Sequence, residues 1–365
     1  MKWTILGAGK GGHAAAGHVK LAGEEVTLWN RPGDKIDYLI QNPHIEVKGK
    51  LEGRAELDKV TDSLEDAVRD AEIISIKTTT DIHTDLARKV APYLHDGQRV
   101  LLNCGGMGGS LLFLQTIRDT GYTPRIIVGE TDTCTYGCKV PKPGESLIKS
   151  IKNRVDFSSV PIDGAEEFLK AMSNVYPQFR DVKEPLASGF DSTCFHTAGM
   201  VLNRDRIARA EDFNFYIDGV TPEIGEFMEA MDSERLAVAN AMGIPTQHIT
   251  QWLNDAYDVP MGDLHQMLKD TPPYQHNAPA PKTFQHRYLL EEIPTKVVPV
   301  LEMATILGIP MPKTRMITDM ACDLTGVDLY AEGRTLDKLG LLPQDIRTYR
   351  SEGLHPYLKR QGLNI

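Results

Sequence analysis

A glycine-rich turn close to the first residue has the spacing of a phosphate-binding loop. Residues 7–12 read Gly-Ala-Gly-Lys-Gly-Gly, which fits G-x-G-x-x-G, and they lie between a short apolar run and an alanine-rich helical stretch. In this motif Gly7 permits a tight turn, Gly9 lets a pyrophosphate approach the backbone, and Gly12 lets the helix pack on the strand. Since N–H groups at the start of the helix would face the phosphates, the turn predicts a dinucleotide site. We expect the cofactor-binding glycines to be Gly7, Gly9, Gly11 and Gly12.

The residues that follow the second predicted strand bear on the choice between NAD and NADP. A carboxylate there would bind the ribose 2′-hydroxyl of NAD, but the chain reads Asn30-Arg31 at this place. The forked guanidinium of Arg31 suits a 2′-phosphate, so NADP(H) is the expected cofactor, with Asn30 and Arg31 in contact with it. Asp34 keeps NAD(H) as the alternative. Thr78, at the end of a later strand, should line the same crevice, because ligands bind at the carboxyl edge of such sheets.

One histidine in the second half of the chain is a candidate acid–base residue. Delivery of hydride to a carbon–oxygen or carbon–nitrogen double bond also requires a proton, and a histidine tuned by a carboxylate commonly supplies it. Of the eleven histidines, His13 and His18 lie on the first predicted helix, where packing or solvent contact is their expected role. His196 stands instead in a Phe-His-Thr-Ala-Gly stretch where a second domain is expected to begin. It is therefore the candidate that we favour.

Strand and helix signals alternate through the first half of the chain. The predicted strands cover residues 3–6, 25–29, 45–48, 72–76, 99–102 and 125–128, and the predicted helices cover 14–19, 63–69, 84–93 and 111–120. Such alternation is typical of a parallel, doubly wound sheet with helices on its faces. We therefore predict an α/β fold in which a dinucleotide-binding, Rossmann-type domain occupies residues 1–185.

Long helical segments replace this alternation from about residue 186. One begins at Thr221-Pro222 and ends at Gly243, and two more cover 294–308 and 313–324. A segment rich in Pro, Asn and His at 271–285 is expected to be a functional loop, because long loops in compact domains usually are. The prediction is an all-α substrate-binding and catalytic domain over residues 186–365.

Composition limits the partners that this chain is expected to have. The 365 residues include 40 Lys and Arg against 50 Asp and Glu, for a net charge of −10, and no basic run indicates nucleic acid. No apolar run approaches the ~18 residues of a membrane span, and no signal peptide is recognised. The five cysteines are sparse, as free thiols in a reducing compartment are, and Cys134 and Cys138 have no companion pair for zinc. We expect a cytoplasmic protein that binds small anions and no metal.

Several motifs together resemble those of the opine dehydrogenases, the family of octopine, nopaline and carboxyethyl-norvaline dehydrogenases. The resemblance begins with the Gly-Ala-Gly-Lys-Gly-Gly-His opening and continues with Phe-His-Thr-Ala-Gly at 195–199, followed by Leu202-Asn203. Further matching stretches follow in the same order along the chain, at 215–222, 229–238, 287–294 and 333–340. The resemblance therefore spans nearly the whole sequence.

This resemblance implies a reaction and a set of residues. Members of the family condense an amino acid with a 2-oxo acid, typically pyruvate, and reduce the imine with NADH or NADPH to an N-(carboxyalkyl)amino acid. By resemblance, His196 polarises the oxo group and handles the proton. Glu292 stands where the family usually has the partnering aspartate, and Glu291 is an alternative. Arg287 corresponds to an arginine that holds a substrate carboxylate, and Tyr136 is expected to touch substrate.

Two other interpretations remain open at this point. The chain could be another two-domain NAD(P)-dependent reductase, acting on a hydroxy or oxo acid or a sugar phosphate. Such reductases often use a lysine in the second domain, whereas the motifs here centre on His196. A non-catalytic sensor of the NADPH/NADP⁺ ratio would keep the glycine turn and need neither His196 nor Arg287. The amine substrate and the choice between a monomer and a homodimer are undetermined by the sequence.

Overall fold

The chain folds into two compact units, and the structure, a computed structural model, describes residues 1–191, 194–275 and 278–363. The first unit is Met1–Ser188 and the second is Gly189–Ile365. The side chains of Asp34 and Lys35 lie outside the described part. The predicted division at residue 185 lies close to the boundary between the two units.

The first unit contains two sheets. Its strands are β1 (Lys2–Leu6), β2 (Glu25–Trp29), β3 (His44–Gly49), β4 (Gly53–Glu56), β5 (Lys59–Thr61), β6 (Ile73–Ile76), β7 (Arg99–Leu102), β8 (Ile127–Thr131), β9 (Tyr136–Lys139), β10 (Glu145–Ile151), β11 (Val155–Val160) and β12 (Phe179–Asp181). The larger sheet has the order β12-β11-β8-β7-β6-β1-β2-β5, and the smaller sheet has the order β4-β3-β10-β9.

The central strands of the larger sheet are parallel, as predicted. β1 pairs in parallel with β2 on one side and with β6 on the other, and β6 continues in parallel to β7 and β8. Every residue of β6 is buried, as are all but the first of β1. Parallel strands covered on both faces need such apolar runs, which is why the sequence revealed these strands. The last of them lies later than predicted, since β8 begins at Ile127.

Two features of the first unit were not predicted. β11 runs antiparallel to β8 and carries β12 with it, so one edge of the larger sheet reverses direction. The predicted strand at 45–48 forms as β3, but it belongs to the smaller sheet, where it pairs with β4 and β10. Buried and partly exposed residues alternate along β10, which is the pattern of a strand with one covered face.

The helices of the first unit cover the sheets. They are α1 (Lys10–Leu21), α2 (Asp34–Gln41), α3 (Leu64–Val68), α4 (His83–Val90), α5 (Gly109–Asp119) and α6 (Ala165–Met172). α1 packs against β1 and β2 of the larger sheet and also against β3, β4, β9 and β10. Its small residues allow this double contact: a Cβ on Gly17 would lie 2.5 Å from the Val47 side chain. The alanine-rich sequence therefore holds α1 tightly behind the glycine turn.

The regular secondary structure among the described residues of the second unit is helical, apart from an isolated bridge between Asn214 and Pro279. The helices are α7 (Cys194–Leu202), α8 (Arg204–Ala208), α9 (Pro222–Met242), α10 (Ile249–Tyr257), α11 (Leu264–Asp270), α12 (Pro272–Gln275), α13 (Arg287–Leu290), α14 (Val298–Leu307), α15 (Pro312–Thr325), α16 (Pro343–Glu352) and α17 (His355–Arg360). No helix among the described residues has the length and apolar composition to cross a bilayer.

Local signals correctly predicted both ends of α9. The Thr221 hydroxyl accepts a hydrogen bond from the Ile224 N–H at the start of α9, and Gly243 ends it with a φ of 74°. The segment predicted as one helix over 294–308 consists of a π-helical turn, Ile293–Val297, followed by α14. The segment 271–285 contains α12, and its residues 276 and 277 lie outside the described part.

Candidate functional site

The glycine turn of the first unit has the shape that a dinucleotide needs. Gly7 has a φ of 111°, which favours glycine, and its N–H donates to the Trp29 carbonyl across 2.8 Å. A Cβ on Gly12 would lie 1.7 Å from the Gly7 carbonyl oxygen, so the close contact of helix and turn also requires glycine. A Cβ on Gly9 or Gly11 would meet nothing within 4 Å. The turn therefore packs closely against the protein at Gly7 and Gly12 and leaves open space at Gly9 and Gly11.

The start of α1 leaves backbone donors available to an anion. Gly9 precedes the helix and has no side chain to cap it. The first N–H groups of a helix have no partner within the helix, and the helix dipole adds partial positive charge there. Together with the open space at Gly9 and Gly11, this arrangement fits a pyrophosphate.

Asn30 and Arg31 have different positions relative to the turn. The Asn30 side-chain oxygen accepts from the Ala8 N–H at 3.1 Å, and its amide donates to the Arg31 carbonyl at 3.0 Å. Asn30 therefore supports the turn, a function that the sequence analysis did not assign to it. Arg31 is exposed.

Thr78 lies beside the turn with a buried hydroxyl that has no hydrogen-bond partner among the residues that the structure describes. Its methyl group is 3.0 Å from the place of a Cβ on Gly7. Buried polar atoms are nearly always hydrogen-bonded, so an orphaned hydroxyl next to an open glycine turn fits a ligand that supplies its partner. This observation supports the cofactor site that the sequence predicts.

A buried polar cluster in the first unit contains Tyr136, the predicted substrate contact. The Tyr136 hydroxyl donates to the Tyr176 hydroxyl at 3.0 Å and lies 2.9 Å from His18 Nδ1. Tyr136 is 7% exposed. Its hydroxyl is thus engaged inside the first unit, and the substrate contact stays a prediction.

Lys77, directly after β6, belongs to the same cluster. Its ammonium group donates to the Asn103 side-chain oxygen and lies 5.5 Å from the centre of the Tyr136 ring and 5.7 Å from that of Tyr176. Burial lowers the pKa of Lys77 to about 8. Burial, with the nearby Lys77 charge, lowers the pKa of His18 to about 4. His18 is therefore a neutral member of this cluster.

In the second unit, His196 on α7 is paired with Glu292. His196 Nδ1 lies 2.6 Å from Glu292 Oε1, across 96 residues of sequence. Glu291 forms an ion pair with Arg287 instead, with Arg287 Nε 2.8 Å from Glu291 Oε2. Of the two carboxylates that the sequence left open, Glu292 is thus the one that contacts the imidazole.

Two tyrosines that the sequence analysis did not single out complete the surroundings of His196. The Tyr288 ring stacks on the imidazole, with centroids 3.7 Å apart and planes at 4°. The Tyr216 hydroxyl lies 2.8 Å from His196 Nε2. Both tyrosines belong to stretches that carry the family resemblance, 215–222 and 287–294, which was the available signal.

The electrostatic environment favours the ionised form of Glu292. Burial is the largest single effect and opposes its ionisation, but the charge and hydrogen bond of His196, together with Lys296 and Arg287, outweigh burial, so the pKa of Glu292 lies below its ordinary value. Lys296, one turn further along the chain, also pairs with Asp191 at 2.9 Å, and both are largely buried. A buried carboxylate that stays ionised stabilises an adjacent imidazolium, which is what an acid–base histidine requires.

Arg287 is a half-exposed charged group near this pair. Its side chain is 48% exposed, whereas that of its partner Glu291 is 8% exposed. The ion pair orients the guanidinium while leaving much of it in contact with solvent. This is a suitable arrangement for binding a carboxylate.

A dinucleotide-binding α/β unit followed by a helical unit with a histidine–carboxylate pair is the architecture of an NAD(P)-dependent dehydrogenase. Residues 188–325 match the family model described as NAD/NADP octopine/nopaline dehydrogenase, alpha-helical domain. Residues 2–125 match the N-terminus of NAD-dependent glycerol-3-phosphate dehydrogenase. An opine dehydrogenase from Arthrobacter sp. (strain 1C) is 30% identical over 342 residues, which cover 93% of this chain and 95% of that protein. The chain belongs to the opine dehydrogenase family.

Solved structures agree on the fold. An octopine dehydrogenase structure with NADH and L-arginine has a TM-score of 0.76 at 19% identity, covering 95% of this chain and 98% of the other. A yersinopine dehydrogenase structure with NADP⁺ has a TM-score of 0.73 at 17% identity, covering 95% and 99%. The protein is an NAD(P)-dependent oxidoreductase acting on CH–NH bonds, and its reaction is the reductive condensation of an amino acid or amine with a 2-oxo acid.

Proposed function

We propose that this opine dehydrogenase condenses an α-amino acid with pyruvate or a similar 2-oxo acid, prefers NADPH, and uses His196 as its acid–base residue. The observation that carries the proposal is the 2.6 Å contact between His196 and the buried, ionised Glu292. Pyruvate is the 2-oxo acid to test first because an octopine dehydrogenase of the same fold binds pyruvate with NADH.

The reaction needs a proton at a defined step. The amine adds to the carbonyl carbon of the 2-oxo acid, and the oxygen leaves as water only if it is protonated. His196, as an imidazolium, supplies that proton, and Glu292 stabilises its positive charge and fixes the ring. NADPH, when bound, supplies the hydride that reduces the resulting carbon–nitrogen double bond.

Arg287 is proposed to hold a substrate carboxylate. Both substrates carry a carboxylate, and a guanidinium binds a carboxylate through two parallel hydrogen bonds. Its exposure, together with the Glu291 ion pair that orients it, supports this assignment. Correct orientation of two substrates lowers the barrier of a bimolecular step considerably.

The preference for NADPH rests on Arg31. Arg31 is exposed two residues after the end of β2, and the described side chains at the tip of that strand include no carboxylate. A cation at this place attracts a 2′-phosphate. Structures of this fold contain NADH as well as NADP⁺, so the choice depends on residues of this chain rather than on the fold.

The decisive experiment measures NADPH oxidation with pyruvate alone, with a mixture of amino acids alone, and with both, and identifies the product by mass spectrometry. We expect oxidation to require both substrates and to yield an N-(carboxyethyl)amino acid. Oxidation with the 2-oxo acid alone, yielding a hydroxy acid, would contradict the proposal. The catalytic assignment is tested separately by His196→Ala, which should lower kcat by about 10²–10⁴-fold while cofactor affinity is retained.

A further inference from the structure

Tyr216 occupies the one nitrogen of His196 that Glu292 does not use. Glu292 is ionised and only accepts hydrogen bonds, so in the neutral imidazole the hydrogen is on Nδ1, and Nε2 accepts. Burial raises the pKa of Tyr216 well above its ordinary value, so the hydroxyl keeps its hydrogen and donates it to Nε2 across 2.8 Å. Both ring nitrogens of His196 are therefore engaged by protein atoms.

The position of Tyr216 is fixed from several sides. The N–H groups of Tyr216 and Ile217 donate to the Asn214 side-chain oxygen at 3.1 and 3.0 Å, which holds the turn that carries the tyrosine. The Tyr216 ring stacks on Tyr274 with centroids 4.0 Å apart, and Tyr216 is 9% exposed. The Tyr216 hydroxyl is therefore held in place against Nε2 of His196.

We propose that Tyr216 relays the proton between His196 and the substrate oxygen, an inference that rests on the proposed role of His196. In the forward direction the Nε2–H bond of the imidazolium breaks as its proton passes to the Tyr216 oxygen. The original Tyr216 O–H proton passes at the same time to the departing oxygen of the substrate. The imidazole and the phenol both end neutral, and the substrate oxygen leaves as water.

A double-mutant cycle of Tyr216→Phe and His196→Ala tests the relay. Tyr216→Phe keeps the ring and its stacking on Tyr274 but removes the hydroxyl, and we expect it to lower kcat by about 10²-fold. Because the two residues act as one unit, the double variant should be no slower than His196→Ala alone. Tyr257→Phe removes a hydroxyl from an aromatic residue that packs beyond Tyr274, and serves as the matched control with kcat unchanged.

The solvent isotope effect supplies a readout that a merely structural role would not change. When two protons are transferred in the same step, kcat depends on the deuterium content of H₂O and D₂O mixtures along a curve. This dependence should become linear in Tyr216→Phe. If the Tyr216→Phe variant keeps the wild-type kcat, the relay is wrong. That result would mean that the substrate oxygen takes its proton directly from Nε2 of His196. Strictly multiplicative losses in the double variant would overturn the relay as well. If Tyr216→Phe does not fold, replacement of Tyr216 by 3,5-difluorotyrosine, which keeps the hydroxyl but lowers its pKa, should change kcat.

The relay and the proposed function fail in different ways. The double-mutant cycle is measured with whichever carbonyl substrate the wild-type protein reduces. If that reaction needs no amine, the proposed condensation is refuted, but the cycle still tests the relay. A hydrogen bond between Tyr216 and His196 is also visible without turnover. In ¹⁵N-histidine NMR spectra, Tyr216→Phe should shift the Nε2 resonance of His196, whereas Tyr257→Phe should leave it in place. An unshifted Nε2 resonance would overturn the relay.

Discussion

The imidazole of His196 lies flat against the ring of Tyr288, with centroids 3.7 Å apart and an angle of 4° between the planes. Tyr288 stands four residues before Glu292, so a single segment supplies both the stacking surface and the carboxylate that binds Nδ1. Stacking fixes the plane of the imidazole, and the hydrogen bond fixes its rotation within that plane. The orientation of the ring is therefore set by two neighbouring residues of one chain segment.

Loss of this stacking should lower the rate without removing the acid. Tyr288→Leu should reduce kcat by about tenfold, because an aromatic pair is worth about 0.5–1.5 kcal/mol beyond burial. Tyr288→Phe keeps the ring, so its kcat should be much closer to that of the wild type. Steady-state kcat at saturating substrates measures the difference. Equal losses in both variants would show that the hydroxyl, and not the stacked ring, is what matters.

Glu292→Gln should lower kcat less than His196→Ala does. The amide still accepts a hydrogen bond from Nδ1, but it no longer stabilises the imidazolium charge. Loss of His196 itself removes the full contribution of general acid catalysis, about 10²–10⁴-fold. Glu291→Gln is the matched control, since Glu291 pairs with Arg287 and does not contact the imidazole. A larger effect from Glu291→Gln on kcat would contradict the pairing.

Arg287→Ala should raise the KM for the 2-oxo acid and leave the KM for NADPH unchanged. The guanidinium is proposed to anchor and orient a carboxylate, and its loss mainly affects binding of the molecule that carries it. The comparison uses the 2-oxo acid and an analogue in which the carboxylate is replaced by an uncharged group. If Arg287→Ala raises the KM for the uncharged analogue as much as the KM for the 2-oxo acid, Arg287 has no anchoring function.

Arg31→Asp should reverse the cofactor preference. The substitution removes a cation and places a negative charge near the 2′-phosphate of NADPH. A hydrogen bond to a charged group is worth about 1.5–3 kcal/mol, so kcat/KM for NADPH relative to NADH should fall at least tenfold. Arg69→Asp, at an exposed position outside the turn, is the control. A wild-type protein that already prefers NADH, with no change in the variant, would rule out the preference for NADPH.

Because of Lys77, the free energy of unfolding should increase as the pH rises above about 8. The pKa of Lys77 in the folded state is about 8, against an ordinary value of 10.5, because burial disfavours the charged form. The unfolded chain therefore binds more protons between these two values, and the free energy of unfolding increases with pH in that window. Lys77→Met should remove this increase and raise the Tm at pH 7. Urea denaturation of both proteins at pH 7, 8, 9 and 10 tests this, and parallel pH profiles would contradict it.

Local sequence signals predicted the parts of the fold whose structure depends on neighbouring residues. The glycine turn, the strand 25–29 and the ends of α9 at Thr221 and Gly243 all depend on backbone preferences within a few residues. The smaller sheet was harder to predict, because strands such as β4 (Gly-Arg-Ala-Glu) and β9 (Tyr-Gly-Cys-Lys) have one buried residue each and therefore no apolar run. Only β3 among its strands was predicted.

The sequence by itself determined the class of the protein. The spacing of the glycines, the alternation of apolar segments and the order of the family motifs are one-dimensional properties, and they led to a Rossmann-type unit, a helical unit and the candidate residues His196 and Glu292. The tertiary structure decided which side chains meet. Glu292 rather than Glu291 contacts His196, and Tyr216 and Tyr288 enclose the same imidazole. These contacts join residues 20 to 96 positions apart, and such pairings follow from the packing of helices against one another, which no local pattern encodes.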